Sequence, residues 1–140
     1  MPYSPIEHTA DVGLEVTAES LPELFSDALR GMTDVITDVG RVGPVLEHEV
    51  ELRAGTLDLL LQEFLGEALY QFEVAQELFR AALVEIVDSA SGCSLAGKMI
   101  GEPFDPARHL TKVALKAVTY HQLEVERDGA RWRARVIFDI

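Results

Sequence analysis

The sequence is poor in the features that most directly announce a chemistry. One cysteine, Cys93, stands among 140 residues, so no internal disulfide forms and a reducing, cytoplasmic compartment is the expectation. No apolar run approaches the roughly 20 residues of a membrane span, and Met1-Pro2-Tyr3-Ser4-Pro5 lacks the basic start and apolar stretch of a signal peptide. Glycine-rich phosphate loops, paired zinc-ligand spacings and serine elbows do not occur, nor do repeats, linkers or low-complexity tracts. Base is scarce: twelve Lys and Arg stand against twenty-four Asp and Glu, a formal net charge of −12. Such a chain repels phosphate backbones, which argues against direct nucleic-acid binding. It attracts divalent cations or a basic protein surface, and surplus acid also keeps a protein in solution.

What is present is the patterning of one globular domain, 1–140, with 48% hydrophobic residues. Leu21, Leu24, Phe25, Ala28, Leu29, Met32, Val35 and Ile36 recur at helical spacing, after a Ser20 cap with Glu23 three residues on. A second stripe runs through Leu57, Leu60, Leu61, Phe64, Leu65, Leu69 and Phe72, with Thr56 as its cap. Strands are expected at residues 14–17, 46–52, 79–87 and 94–100, the last two pairing as a hairpin across Ser89-Ala90-Ser91-Gly92. At the carboxyl end, Asp128-Gly129 reads as the two central residues of a tight turn. That register sets Glu126 against Arg131, Glu124 against Arg133 and Gln122 against Arg135. It also places Leu115, Ala117, Thr119, His121, Leu123 and Val125 with Trp132, Ala134, Val136 and Phe138 on the core face, and Lys116, Val118, Tyr120 and Asp139 on the other. Strand, helix, strand, helix, then four strands implies an α+β two-layer sandwich: two helices on a largely antiparallel mixed sheet of about six strands.

Residues able to bind a hard cation are oxygen donors with occasional imidazole. The candidates are His8, Asp11, Glu102, Asp105, His109 and Asp139, with the main-chain oxygens of Ile140 beside the last. His8 and Asp11 lie three apart in a turn, so both can reach one point, or simply cap the following strand. Glu102, Asp105 and His109 occupy an interstrand loop, where function is often carried and where acids are often just solvated. Cys93 has no histidine beside it in the local sequence and reads as a structural thiol. Tyr120 and His121 face opposite ways and cannot form an acid/base pair.

Beyond these readings, the whole chain resembles the archease family. The resemblance is carried by His8-Thr9-Ala10-Asp11-Val12-Gly13, by Leu59-Leu60-Leu61-Gln62-Glu63-Phe64-Leu65-Gly66-Glu67-Ala68-Leu69-Tyr70, and by Gly101-Glu102 followed by His109. It continues through Lys116-Ala117-Val118-Thr119-Tyr120-His121 and ends with Val136-Ile137-Phe138-Asp139-Ile140. The family often has Trp and Asn where this chain has Phe64 and Gly66, and Glu where it has Ala114. The resemblance implies a protein cofactor rather than an enzyme. Its partner is the tRNA-splicing RNA ligase that joins a 3′-phosphate or cyclic phosphate end to a 5′-hydroxyl. The cofactor promotes GTP-dependent guanylylation of that ligase and multiple turnover. It also implies a divalent-metal site, with calcium the leading ion and magnesium or manganese as alternatives. The ligands would be Asp11, Asp139 and a main-chain oxygen of Ile140, with His8, Lys116, Glu102 and His109 in support. The competing readings are a metal-dependent phosphoesterase using His8 or His109 as base, and a chaperone or adaptor whose metal is structural.

Overall fold

The structure, a computed structural model, describes residues 11–140. Its elements run β1 (Asp11–Ala18), α1 (Leu21–Ile36), a 3-10 turn (Val39–Arg41), β2 (Leu46–Ala54), α2 (Leu57–Ala75), β3 (Glu77–Ser89), β4 (Gly92–Pro103), β5 (Ala117–Val118), β6 (Glu124–Asp128) and β7 (Arg131–Asp139). The α+β class is as expected, but the strands form two antiparallel sheets instead of one mixed sheet of about six. One has the order β1-β7-β5, with β6 also pairing to β7; the other has the order β2-β4-β3. The difference has a physical reason: alternation identifies which face of a strand is buried and leaves its neighbours open.

Both helices start where the caps require. The Ser20 hydroxyl accepts from the Glu23 N–H at 3.3 Å, and the Thr56 hydroxyl accepts from the Leu59 N–H at 3.5 Å, each satisfying a donor that the first turn leaves open. α2 stops at Gln76, whose φ of 54° is left-handed and whose N–H returns to the carbonyls of Gln71 and Phe72. α1 packs on β1 and β3, and α2 on β2, β3 and β5, so each helix touches both sheets. Their apolar stripes meet at Phe25 and Phe64, with ring centroids 5.7 Å apart. These two, with Phe79 and Phe138, are fully buried, and each such burial contributes roughly 1.5–3 kcal/mol.

Within α2, Gly66 has no atom within 4 Å of the place a Cβ would occupy. Glycine loses more backbone freedom on folding than alanine, so Gly66→Ala is expected to stabilise by about 0.5–1 kcal/mol. Thermal unfolding should show this as a rise in Tm of about 2–3 °C.

The hairpin of β3 and β4 forms as read, with Ser89 opposite Gly92. The carboxyl-terminal hairpin differs. Its turn residues are Gly129 and Ala130, giving Asp128–Arg131, Glu126–Arg133 and Glu124–Arg135 as partners. Only Gly129 has a positive φ, +64°, which fits a II′-type turn, where just the first central residue needs it. Each acid therefore moves two residues along β7. Because side chains alternate with period two, the β7 faces survive: Ala134, Val136 and Phe138 are buried. On the outer face Arg133 binds Glu124 at 3.0 Å and also Glu126, and the hydrogen bond from Arg133 holds the Glu126 carboxyl below its usual range.

The strand expected to lead into that hairpin is broken. β5 covers two residues, Gln122 adopts a φ of +51°, and Thr119 turns both its N–H and its hydroxyl to the Ile137 carbonyl, at 3.0 and 2.9 Å. Val118 then lies opposite Phe138 and is buried, while Ala117 lies opposite Asp139. These positions exchange the faces expected for Ala117 and Val118. His121, expected on the core face, is exposed.

Candidate metal centre

The first and last strands bring the two aspartates together. β1 pairs antiparallel with β7, and the terminal rung of the ladder is Asp11 opposite Asp139. Directly opposed residues share a face, with Cβ atoms about 4.5–5.5 Å apart, and like charges so placed repel. The face is the outer one: Asp11 is exposed and Asp139 half-buried, while Val12 and Phe138 on the next rung turn inward. Among the described residues neither carboxylate forms an ion pair with Lys or Arg. The third strand of the sheet closes on the same rung, since the Lys116 N–H donates to the Asp139 carbonyl oxygen at 2.8 Å. The Lys116 side chain is exposed there, and Ile140 follows Asp139 directly. An oxygen-only donor set with uncompensated negative charge suits a hard cation. No cluster of three or more His, Cys, Asp or Glu converges among the described residues, so the acidic donors on this rung are the two carboxylates. His8 lies outside the described residues.

Glu102, Asp105 and His109 form a separate constellation, and Glu102 and His109 are not solvated loop residues. They are 3% and 1% exposed. Both nitrogens of the His109 ring are engaged: Nδ1 accepts from the Asp105 N–H at 2.9 Å, which leaves the proton on Nε2. Nε2 lies 2.6 Å from the Glu102 carboxylate and 3.1 Å from the Arg41 carbonyl. Arg108 donates to Glu102 at 3.1 Å and to the Arg41 carbonyl at 3.0 Å, and Phe104 stacks on the imidazole with centroids 6.0 Å apart. Burial alone would raise the Glu102 pKa. Hydrogen bonds from Arg108, the Gly43 N–H and His109, with the Arg108 charge, outweigh it and hold the carboxyl below its usual range. A histidine with both nitrogens committed is a clamp on the chain, and no ligand position is left on it. No hydrogen bond or ion pair among the described residues joins this cluster to Asp11 or Asp139.

An α+β domain whose terminal strands close on paired aspartates is the arrangement the sequence resemblance calls for, and comparison with known proteins decides the matter. The model of the Archease protein family (MTH1598/TM1083) matches residues 3–140. The chain belongs to the archease family. A curated archease from Methanopyrus kandleri is 38% identical over 140 residues, covering all of both chains. Among solved structures, the solution structure of Methanobacterium thermoautotrophicum protein 1598 is similar, with a TM-score of 0.79 and 29% identity over 96% of each chain. A Thermotoga maritima crystal structure described as an archease and possible chaperone shares the fold, with a TM-score of 0.58 and 22% identity over 99% of this chain and 97% of that one.

Within this archease the remaining sequence candidates fall to structural roles. Cys93 is buried, and its thiol donates to Asp88 at 3.2 Å. Burial first, then Asp88, pushes its pKa up to about 11, so it stays protonated and unreactive near neutral pH. No archease helix is long and apolar enough to cross a membrane among the described residues. The partners of the Glu102–His109 clamp, Arg41 and Gly43, sit far from it in sequence. Arg108, next to His109 in the same loop, carried the one local signal that Glu102 is held by more than water.

Proposed function

We propose that this archease activates an RNA ligase of the 3′-phosphate-joining type, in tRNA splicing or RNA repair, without joining RNA itself. On this reading it promotes GTP-dependent guanylylation of the ligase and multiple turnover. It does so through a divalent-metal site formed by Asp11, Asp139 and a main-chain oxygen of Ile140. The observation that supports it most is the terminal rung, Asp11 opposite Asp139, within a chain of the archease family. A divalent ion at such a site supplies neutralisation of charge developing in nucleotidyl transfer. The chain's own residues hold and present that charge. Asp11 and Asp139 project from one outer face, Lys116 donates its N–H to the Asp139 carbonyl oxygen, and the ladder of β1 on β7 fixes the spacing of the pair. The net charge of −12 favours encounter with a basic nucleotide-binding cleft, an effect on association rate more than on affinity.

The test uses the cognate ligase with GTP and a divalent metal, following ligase guanylylation and turnover. Wild type is expected to stimulate both. Asp11→Asn and Asp139→Asn are each expected to lower stimulation by about tenfold or more and to weaken calcium binding measured by calorimetry. Equal stimulation by the variants overturns the metal-site reading. Phosphate release by the protein alone would replace it with a phosphoesterase, and rescue of ligase folding without any change in guanylylation would replace it with a chaperone.

A further inference from the structure

One cavity lies away from the aspartate tip, between the amino-terminal turn of α1 and the free edge of β3. It has a volume of about 720 Å³, and its floor includes Leu83, Val84 and Ala96. Leu83 is 62% exposed, and Val87, further along β3, is 58% exposed, so large apolar side chains face water on a strand edge. The charges lining the cavity are Glu23, Asp27 and Glu85, with no Lys or Arg among them. A smaller cavity shares Ala96 and Gly97 and extends the rim across β4 to Glu49 and Glu51 on β2. The outer face of this sheet thus carries apolar side chains with acids around them, and Lys98, opposite Leu83 in the register, is taken up by Glu47 at 2.9 Å.

The strand edge itself is unfinished. β3 pairs with β4 on one side only. At Ala82 the other side is covered, because the Ala82 N–H donates to the Ser26 hydroxyl of α1 at 3.0 Å. Main-chain groups of an antiparallel strand point to a given side at every second residue. Val84 and Ile86 therefore present theirs to the same edge, beyond the reach of Ser26, and no backbone partner takes them among the described residues. An open edge beside an apolar groove is the geometry that accepts an added strand from another chain.

We propose that this groove is a docking site for an extended segment of the partner protein, one carrying an apolar side chain flanked by Lys or Arg. The main chain of that segment pairs with Val84 and Ile86. Its apolar residue covers Leu83, and its cations meet Glu85, Asp27 and Glu23. This rests on the reading that the partner is the RNA ligase. The groove is remote from the tip: the eight-residue β1 runs from Asp11 to Ala18, about 23 Å at strand rise, and Ala18 lies just before the cap of α1. One end of the domain would hold the ligase while the other acts on it.

The decisive measurement is the affinity of the full chain for the cognate ligase, by calorimetry, beside stimulation of guanylylation. Asp27→Lys combined with Glu85→Lys, and separately the exposed Leu83→Arg, are expected to weaken binding about tenfold or more. A control with the same charge change on the exposed face of α2, Glu63→Lys with Glu73→Lys, is expected to bind like wild type. Circular dichroism melting confirms that all variants fold. Equal affinities for wild type and both groove variants overturn the docking site. So does equal loss in the α2 control, which would mean that net charge alone governs the encounter. Self-association of the wild type that is abolished by Leu83→Arg would assign the groove to a second copy and overturn the proposal as well. Groove-dependent binding without stimulation would support the groove and overturn the activator reading.

Discussion

Glu102→Ala is expected to destabilise the protein by about 2–4 kcal/mol, the cost of leaving the buried donors around it without their acceptor. The carboxylate is 3% exposed and gathers three donors from two segments: the His109 ring and the Arg108 guanidinium from one, and the Gly43 N–H from the other. Its removal leaves the His109 Nε2–H with only the Arg41 carbonyl and the Gly43 N–H without its acceptor. Each orphaned buried group costs about 1–3 kcal/mol. Urea unfolding should show the loss with an unchanged m-value, and Glu102→Gln, which keeps an acceptor, should lose less. The same group gives a pH signature. Its folded pKa is lowered from the ordinary 4.5, so its contribution is fully present above that value. The contribution is lost as pH falls from there through the folded pKa, because the unfolded chain takes up the proton first. Wild type should therefore lose stability more steeply than Glu102→Gln below pH ~4.5. Matching pH profiles for the two proteins would contradict this assignment.

The second large effect is expected one residue earlier. A Cβ on Gly101 would stand 1.7 Å from the Leu78 carbonyl oxygen and 2.7 Å from the Phe79 Cα. Both obstacles are main chain, so no rotamer change relieves them. β3 carries its register irregularity at this point, with Phe79 opposite Gly101 and Ala81 opposite Ile100, and the bulge brings the two backbones close. Gly101→Ala is expected to cost at least about 3 kcal/mol and to lower Tm by roughly 10 °C. Because Gly101 precedes Glu102, the displacement should also loosen the His109 clamp, and the two substitutions should be non-additive in a double-mutant cycle. Additive losses would place the clash and the clamp in independent units.

The elements most legible in the sequence were those whose signal is local. The two helical stripes and their caps, Ser20 and Thr56, appear where the periodicity places them. The α+β class follows from their order among the strands. The carboxyl-terminal turn was misplaced by one residue because Asp128-Gly129 and Gly129-Ala130 both satisfy a glycine-bearing hairpin, and the choice between them depends on the twist of the finished sheet. The break after Val118 had no local signal, since Gln122 is not a residue type expected at positive φ. The division into two sheets was invisible for the same reason as the Glu102 clamp. Both depend on contacts between segments far apart in the chain, and a loop acid looks the same in sequence whether it meets water or a buried histidine. The apposition of Asp11 and Asp139 was legible only through the family resemblance, because neither residue has a diagnostic spacing of its own.

The rung that joins Asp11 to Asp139 also sets an order of events. Of the described elements, β1 emerges first during synthesis and its ladder partner β7 emerges last. The β2-β4-β3 sheet and both helices lie wholly between them in the chain, so that half of the core can condense while β1 still waits for its neighbour. Closing the first strand on the last is the most non-local pairing among the described residues, and such pairings form slowly. The carboxylate pair is therefore absent from every nascent chain until the final strand has threaded between β1 on one side and β5 and β6 on the other. Any metal chemistry at the tip would begin only once the fold is complete.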